Sequence, residues 1–336
     1  MLTEPRITNP TDVSAETIRQ ILRQGARPTI QFSRSGIAPA LLHRVNKLCI
    51  EFGDALEVRF YGFYGEGFDA SVLAEIPDVQ WLSVDCLDAI SNENKLCELK
   101  KLTKLAFGVF KFDQPNFLDK LPLAGLKALW VNENAKRNFD LSYISRCASL
   151  SELSISGHNR NISAISSLRK LRQLTLSSIS KKQDLGFVSD VENLRSLTLL
   201  LGGRSSIEEI RHDELEELSV IRVQGLQRLG PLKRFPSLLK LQVEDQLQLK
   251  EIGLENEKLE ELIAVNCRNL GEITGLPQLS GLKCVRIYKT NLNLVELARH
   301  EWPPSLDVLA LYSGNLKRDA EMRAALDRRG YREFAR

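Results

Sequence analysis

The chain has 336 residues, a formal net charge of +3 at pH 7, and 43% hydrophobic against 26% charged residues, a balance that excludes a disordered chain. No run of about 18 apolar residues is present to cross a membrane, and the opening MLTEPRITNPTDVSAE lacks the basic start and apolar block of a secretory leader, so a cytoplasmic protein is expected. The excess charge is local: seven basic residues against four acids fall between Lys317 and Arg336, the rest sums to zero, and the basic stripe of a nucleic-acid-binding array is absent.

In chain order, residues 1–11 read as an untied tail. A helix is expected from Thr11 or Asp12 to about Gln24, because Asp12 or Ser14 can cap it, Ile18, Ile21 and Leu22 share a face, and Gly25 can end it. Pro28 to Ser33 reads as a strand with Ile30 and Phe32 inward. Ala38 to Phe52 reads as a helix with Leu41, Leu42, Val45, Leu48, Cys49 and Phe52 on one face, and Leu56, Val58 and Phe60 alternate as a second strand. The segment Tyr61 to Phe68, YGFYGEGF, holds three glycines in the manner of a phosphate loop but lacks a Gly-Lys-Ser/Thr ending. It reads as a loop whose aromatics Tyr61, Phe63, Tyr64 and Phe68 pack over the outer coil, with a small-ligand-binding loop as the alternative. A helix from about Asp69 to Glu75 should follow.

From Val79 onward one frame, Leu-x-x-Leu-x-Leu, recurs every 21 to 24 residues, starting at Val79, Leu102, Leu126, Leu150, Leu171, Leu194, Leu215, Leu238, Leu259, Leu282 and Leu306. Alternate strand side chains point to opposite faces, so the fourth and sixth residues of each frame, such as Leu174 with Leu176 or Leu218 with Val220, face one way, into a coil. The triplets that follow (Ile162, Ile165, Leu168; Leu185, Val188, Val191) suit 3₁₀ turns or extended coil. One such turn cannot bury its apolar side alone, so the repeats must stack. Asp319 to Arg329 reads as a final helix, with Met322 and Leu326 on one side and Gly330 ending it, covering the last coil.

In frame and period the chain resembles the leucine-rich-repeat family, and its short outer segments resemble the internalin-like bacterial subclass, over roughly Leu56 to Gly314. The resemblance implies an α/β solenoid, a curved leucine-rich-repeat array of about 13 parallel strands on the concave face, short 3₁₀ or coil segments on the convex face, and α-helical caps at both ends. It is read as a single domain, 1–336, with an N-terminal tail and cap helix at 1–26, two atypical helix-bearing repeats at 27–78, regular repeats at 79–316 and a C-terminal cap helix at 317–336. The ninth position departs from the family: Asn134 and Cys267 fit its Asn-or-Cys pattern, whereas Ile179, Gly202, Val223 and Gly314 do not.

For the family the concave face implies a protein partner, and thirteen strands at about 4.8 Å would offer a surface on the order of 60 Å long. On its N-terminal side the outward positions carry Trp81, Asp85, Lys104, Trp130, Asn132 and Glu133. The two tryptophans are candidate anchors unless they pack as an ordinary cross-strand pair. Ser154, Ser156, Thr175, Ser177, Thr198 and Ser219 make a small, polar centre, and Arg286, Tyr288 and Tyr312 form a second candidate anchor. Six cysteines without a Cys-x-x-Cys pair argue against zinc and disulfides. Cys267 is expected to be buried and His158 to make a turn or solvent hydrogen bond. None of the four histidines has a catalytic partner at motif spacing, so neither an enzyme nor a cofactor is expected. The function implied is protein recognition, an immunity or toxin-neutralising role being one form of it. A small-ligand-binding regulator using residues 61–68 and a self-associating structural protein are the alternatives.

Overall fold

The computed structural model describes residues 5–136 and 139–332; expectations for 1–4 and 333–336 lie outside them. The chain divides into two compact units, Met1–Leu171 and Arg172–Arg336.

The first unit contains strands β1 (Arg6–Thr8), β2 (Thr29–Phe32), β3 (Glu57–Gly62), β4 (Trp81–Leu87), β5 (Lys104–Val109), β6 (Ala128–Val131) and β7 (Glu152–Ser156). Each pairs in parallel with the next, so that Trp81, Lys104, Ala128 and Glu152 stand side by side. The inward residues Val58, Phe60, Leu82, Val84, Leu105, Phe107, Leu129, Val131, Leu153 and Ile155 are all buried. Phenylalanines fill the coil behind them: Phe107 lies 5.1 Å from Phe112 and 5.0 Å from Phe117 between ring centroids. The expected tail is corrected at Arg6–Thr8, which pairs with Thr29–Gln31. Among the described residues, Arg6–Thr8 brings the main-sheet strands to fourteen, close to the about 13 expected.

Helix α1 (Ala15–Arg23) is capped by Ser14, whose Oγ accepts from the Thr17 N–H at 3.2 Å. Helix α2 (Pro39–Phe52) buries Leu41, Leu42, Val45, Leu48 and Cys49 and ends at Gly53. The α-helix expected over residues 69–75 is instead a 3₁₀ turn, Ala70–Glu75, capped by Asp69. Later coils return through 3₁₀ turns such as Leu141–Arg146 and Ile162–Ser167.

The second unit repeats the plan with β8 (Gln173–Ser177), β9 (Ser196–Leu200), β10 (Glu217–Ile221), β11 (Lys240–Glu244), β12 (Glu261–Val265), β13 (Cys284–Tyr288) and β14 (Val308–Tyr312), again all parallel. Its outer side carries one helix beyond the 3₁₀ turns expected there, α3 (Leu294–Arg299), capped by Asn293. Helix α4 (Leu316–Arg328) then covers the last strand with Leu326 buried, and Arg332 bridges to Val308 along its free edge. The architecture is an α/β solenoid.

At the eighth place of most frames, though not at Val109, Glu133 or Ser313, the chain turns off the strand through the left-handed region. Cys86, Ser178, Leu201, Arg222, Asp245, Asn266 and Lys289 all have φ between 52° and 58°, and Gly157 has φ 75°. The ninth residue thereby swings inward. His158, expected in a turn or solvent hydrogen bond, is wholly buried there, its Nε2 3.0 Å from the Asn132 carbonyl and its ring 4.6 Å from Phe139. Gln246 donates from Nε2 to the Val220 carbonyl at 3.2 Å, and Cys267 places Sγ 3.6 Å from the Val243 carbonyl. Three different side chains thus reach back to the preceding coil from one position.

Candidate functional site

On the first unit's strand face, Trp81 and Trp130 stand outward as expected but stack on each other, with centroids 6.4 Å apart and planes 21° apart. On the strand between them, Lys104 stands in register with Trp81 and the small Ala106 with Trp130. Lys104 sets its ammonium 4.5 Å over the Trp81 ring, leaving that tryptophan 9% exposed. The cross-strand alternative is the arrangement realised for Trp81. Trp130 donates from Nε1 to Glu152 at 3.1 Å and stays half-buried.

Asp85 is bound through both carboxylate oxygens by Arg59, at 2.7 and 3.1 Å. Burial works against the Arg59 charge, but the bond and proximity to Asp85 outweigh it and hold the guanidinium above its usual pKa. A depression of about 300 Å³ lies between Arg59, Trp81, Asp85, Trp130 and Asn132.

Asn132 also lines a larger depression of about 630 Å³ at the C-terminal ends of these strands, with Glu133, Tyr64, Cys86, Asp88 and Phe110. Gly108 makes room for it: a Cβ there would lie 2.8 Å from Asn132 Nδ2. The structure therefore brings together residues that the sequence assigned to separate sites, Asn132 and Glu133 of the strand face and Tyr64 of the glycine-rich loop. Within that loop the expected packing of all four aromatics is corrected. Phe63 and Phe68 are buried and 5.1 Å apart, whereas Tyr64 is 84% exposed.

In the second unit Tyr288 and Tyr312 meet edge to face at 6.5 Å, with the Lys289 ammonium 4.8 Å from the Tyr288 ring and Arg286 half-buried in the neighbouring row. The register shows what the sequence reading missed. Ser177, Leu200, Ile221, Glu244, Val265, Tyr288 and Tyr312 stand side by side, one per strand. All but Ser177 are half-buried. The centre expected to be small and polar is thus apolar along one edge. The signal was present in the pairs Leu199-Leu200, Val220-Ile221 and Ala264-Val265, where an outward apolar residue directly follows the last inward one. A polar depression of about 670 Å³ in the loops beyond these strands is lined by Lys182, Gln183, Arg204, Glu209 and Gln224. In it the half-buried Arg204 pairs with Glu209 at 2.5 Å.

All six cysteines are free, and of them only Cys86 is exposed. Among the described residues no group of three His, Cys, Asp or Glu side chains could hold a metal ion, and no helix is long and apolar enough to cross a membrane.

No protein-family model matches the sequence, and no curated protein matches it significantly. Solved structures do match in fold. A chain of the mouse RP105/MD-1 complex is 16% identical at a TM-score of 0.50, over 84% of this chain and 54% of that one. The internalin InlF of Listeria monocytogenes is 17% identical at 0.47, over 99% and 87% of the two chains. A leucine-rich-repeat protein of Leptospira interrogans is 14% identical at 0.39, over 97% and 93%. With its parallel strands, inward leucines and 3₁₀ returns, the chain has the fold of the leucine-rich-repeat proteins.

Proposed function

We propose that the protein is a non-enzymatic recognition solenoid that binds a protein partner on the strand face of its repeats. The observation that carries this reading is the row Leu200, Ile221, Val265, Tyr288 and Tyr312. At about 4.8 Å per strand it runs about 24 Å, interrupted once by Glu244. A largely apolar strip left partly open on a strand face is the kind of surface a partner covers, and tyrosine is enriched where binding energy concentrates. Arg286 beside it supplies a charged donor. The matched mouse chain comes from a complex of two proteins, which supports the same reading at the level of the fold. In the first unit, Trp130 with Lys104, Asp85, Asn132 and Glu133 forms a rigid surface suited to the same use.

Affinity capture from a lysate of the native host tests the proposal, using wild type, an Ile221→Lys, Tyr288→Ala variant, a Trp130→Ala variant, and Glu255→Lys on the outer side as control. Circular dichroism and thermal melting confirm that each is folded. One stoichiometric protein should be retained by wild type and the control and lost from the Ile221, Tyr288 variant. Equal retention by all four would overturn binding through this face, and a concentration-dependent mass without any partner would favour self-association instead.

A further inference from the structure

Two exposed aromatic rings, Tyr64 and Phe110, line the depression at the C-terminal ends of the first unit's strands. The loop that carries Tyr64 has a built conformation: Gly62, Phe63, Gly65 and Gly67 all have positive φ, 81°, 52°, 88° and 75°, values that favour glycine. The Gly67 N–H closes the turn on the Phe63 carbonyl at 3.1 Å, and Ser35 Oγ donates to Glu66 at 2.6 Å. Phe63 and Phe68 are buried, while Tyr64 stays 84% exposed with its ring beside Gly62, where a Cβ would lie 3.5 Å from Cε2. Phe110 is 56% exposed, its N–H fixed to the Leu87 carbonyl at 2.8 Å. Tyr64 follows the strand Glu57–Gly62 and Phe110 the strand Lys104–Val109, two strand steps or about 10 Å apart.

Charge does not choose the occupant: Asp88 is bridged by Lys111 at 2.8 Å, and Glu133 also has a partner within the protein. The neutral groups of the lining are more selective. Asn132 engages its backbone with the Phe107 carbonyl and with His158 Nε2, and its side chain leans over Gly108, where a Cβ would lie 2.8 Å from Nδ2. Its amide and the Ser156 hydroxyl both line the depression, and neither makes a side-chain hydrogen bond among the described residues. A purely apolar occupant would cover both without giving either a partner. A single flat heterocycle stacks within about 7 Å of a ring centroid and could not serve two rings so far apart. A sugar ring carries C–H groups on its faces, which lie on an aromatic ring, and hydroxyls around its edge, which both donate and accept as an amide and a hydroxyl require. A chain of such rings brings a second face to the second aromatic.

We propose that this depression binds a neutral oligosaccharide, with sugar faces on Tyr64 and Phe110 and sugar hydroxyls on Asn132 and Ser156. The site belongs to the first unit and the apolar row to the second, so either reading can fail without the other.

The test is affinity electrophoresis of the full chain in native gels cast with laminarin, hydroxyethylcellulose, xylan, galactomannan or glycol chitin, and with dextran sulfate as the charged comparison. At least one neutral polymer should retard the protein, and free oligosaccharides of that polymer should compete, the monosaccharide least. Tyr64→Ala, Phe110→Ala and Asn132→Ala should each weaken the interaction by about tenfold, and Tyr64→Phe should preserve it, because a ring face remains. Both aromatics are exposed, so the Tyr64 and Phe110 variants should melt with wild type. Retardation by none of the neutral polymers, or by dextran sulfate alone, would overturn the proposal. So would a neutral polymer that retards wild type and the Tyr64→Ala, Phe110→Ala double variant alike. A monosaccharide competing as well as the longest oligosaccharide would refute the use of both rings. In each case capture of a host protein through the second unit's row is measured separately and stands or falls by its own variants.

Discussion

Replacing Gly202 by alanine should cost the second unit several times more stability than the same change at Gly225. Both glycines have positive φ, 72° and 83°, so both variants pay the left-handed penalty of an L-residue, about 1 kcal/mol. Both also gain the same restriction of the unfolded chain, about 0.4–1 kcal/mol in the variant's favour. The environments differ. A Cβ at Gly202 would lie 2.7 Å from the Ile179 carbonyl oxygen and 3.0 Å from its nitrogen, whereas at Gly225 the nearest atom is the Arg204 oxygen at 3.6 Å. The Ile179 atoms are backbone of the preceding coil and cannot rotate away, so the coil must shift, an overpacking cost of about 1–3 kcal/mol. Gly225→Ala is therefore expected to lie near neutrality, within about 1 kcal/mol, and Gly202→Ala to cost about 1–3 kcal/mol more. Urea unfolding followed by circular dichroism measures this as a lowered midpoint at unchanged slope. Equal midpoints for the two variants would refute the close approach of these coils, and with it the reason that Gly202 stands where an asparagine is expected.

Three further outcomes are expected. A thiol reagent should label Cys86 in the folded protein, whereas Cys49, Cys147 and Cys267, buried and with thiols pushed up to about 12, 12 and 11 by burial, should stay silent until denaturant is added. Native-state labelling of Cys267 would contradict its inward position. Lys104→Ala should uncover Trp81, shifting the tryptophan emission to longer wavelength and raising its quenching by acrylamide; an unchanged spectrum would refute the lysine cover. The bond from Arg222, with one from Asn266, holds the Asp245 carboxyl below the usual value near 3.8. The stabilisation is present above that value and lost as pH falls through it toward the lowered folded-state pKa. Arg222→Ala should therefore lower the unfolding midpoint at pH 7 more than at pH 3, and an equal effect at both would refute the link.

The repeat was legible because its signal is redundant. Every frame buries its fourth and sixth residues, and the period is too short for an α-helix on every return, so strand faces and 3₁₀ turns followed from spacing alone. The N-terminal strand was not legible: Arg6–Thr8 carries one apolar residue, Ile7, and is held by its ladder to β2 rather than by a frame of its own. His158 was misread because its short neighbours suggested a turn. The left-handed eighth residue carries it inward, where an imidazole can serve the backbone as an amide does. Trp81 was correctly placed on the strand face, but its cover, Lys104, comes from the next repeat, and such lateral contacts appear only once the register is known. The depression was illegible for a related reason, since Tyr64 and Glu133 lie three repeats apart.

The eighth-place turn also locates the chemically variable edge of the protein. The residue after the second inward side chain, followed in most repeats by the left-handed turn, ends the strand face in every repeat. Its identity is free of core constraints, since neither the coil interior nor the ladder of ninth residues depends on it. In the first unit this place carries Asp85, Gly108, Asn132 and Ser156, in the second Leu200, Ile221, Glu244, Val265, Tyr288 and Tyr312. One unit thus offers a charged and hydrogen-bonding edge opening onto the Tyr64 and Phe110 depression, and the other an apolar and aromatic edge. A uniform core with such unlike edges is what a recognition protein requires: the repeats fix the spacing of the contacts, and one residue per turn sets their chemistry.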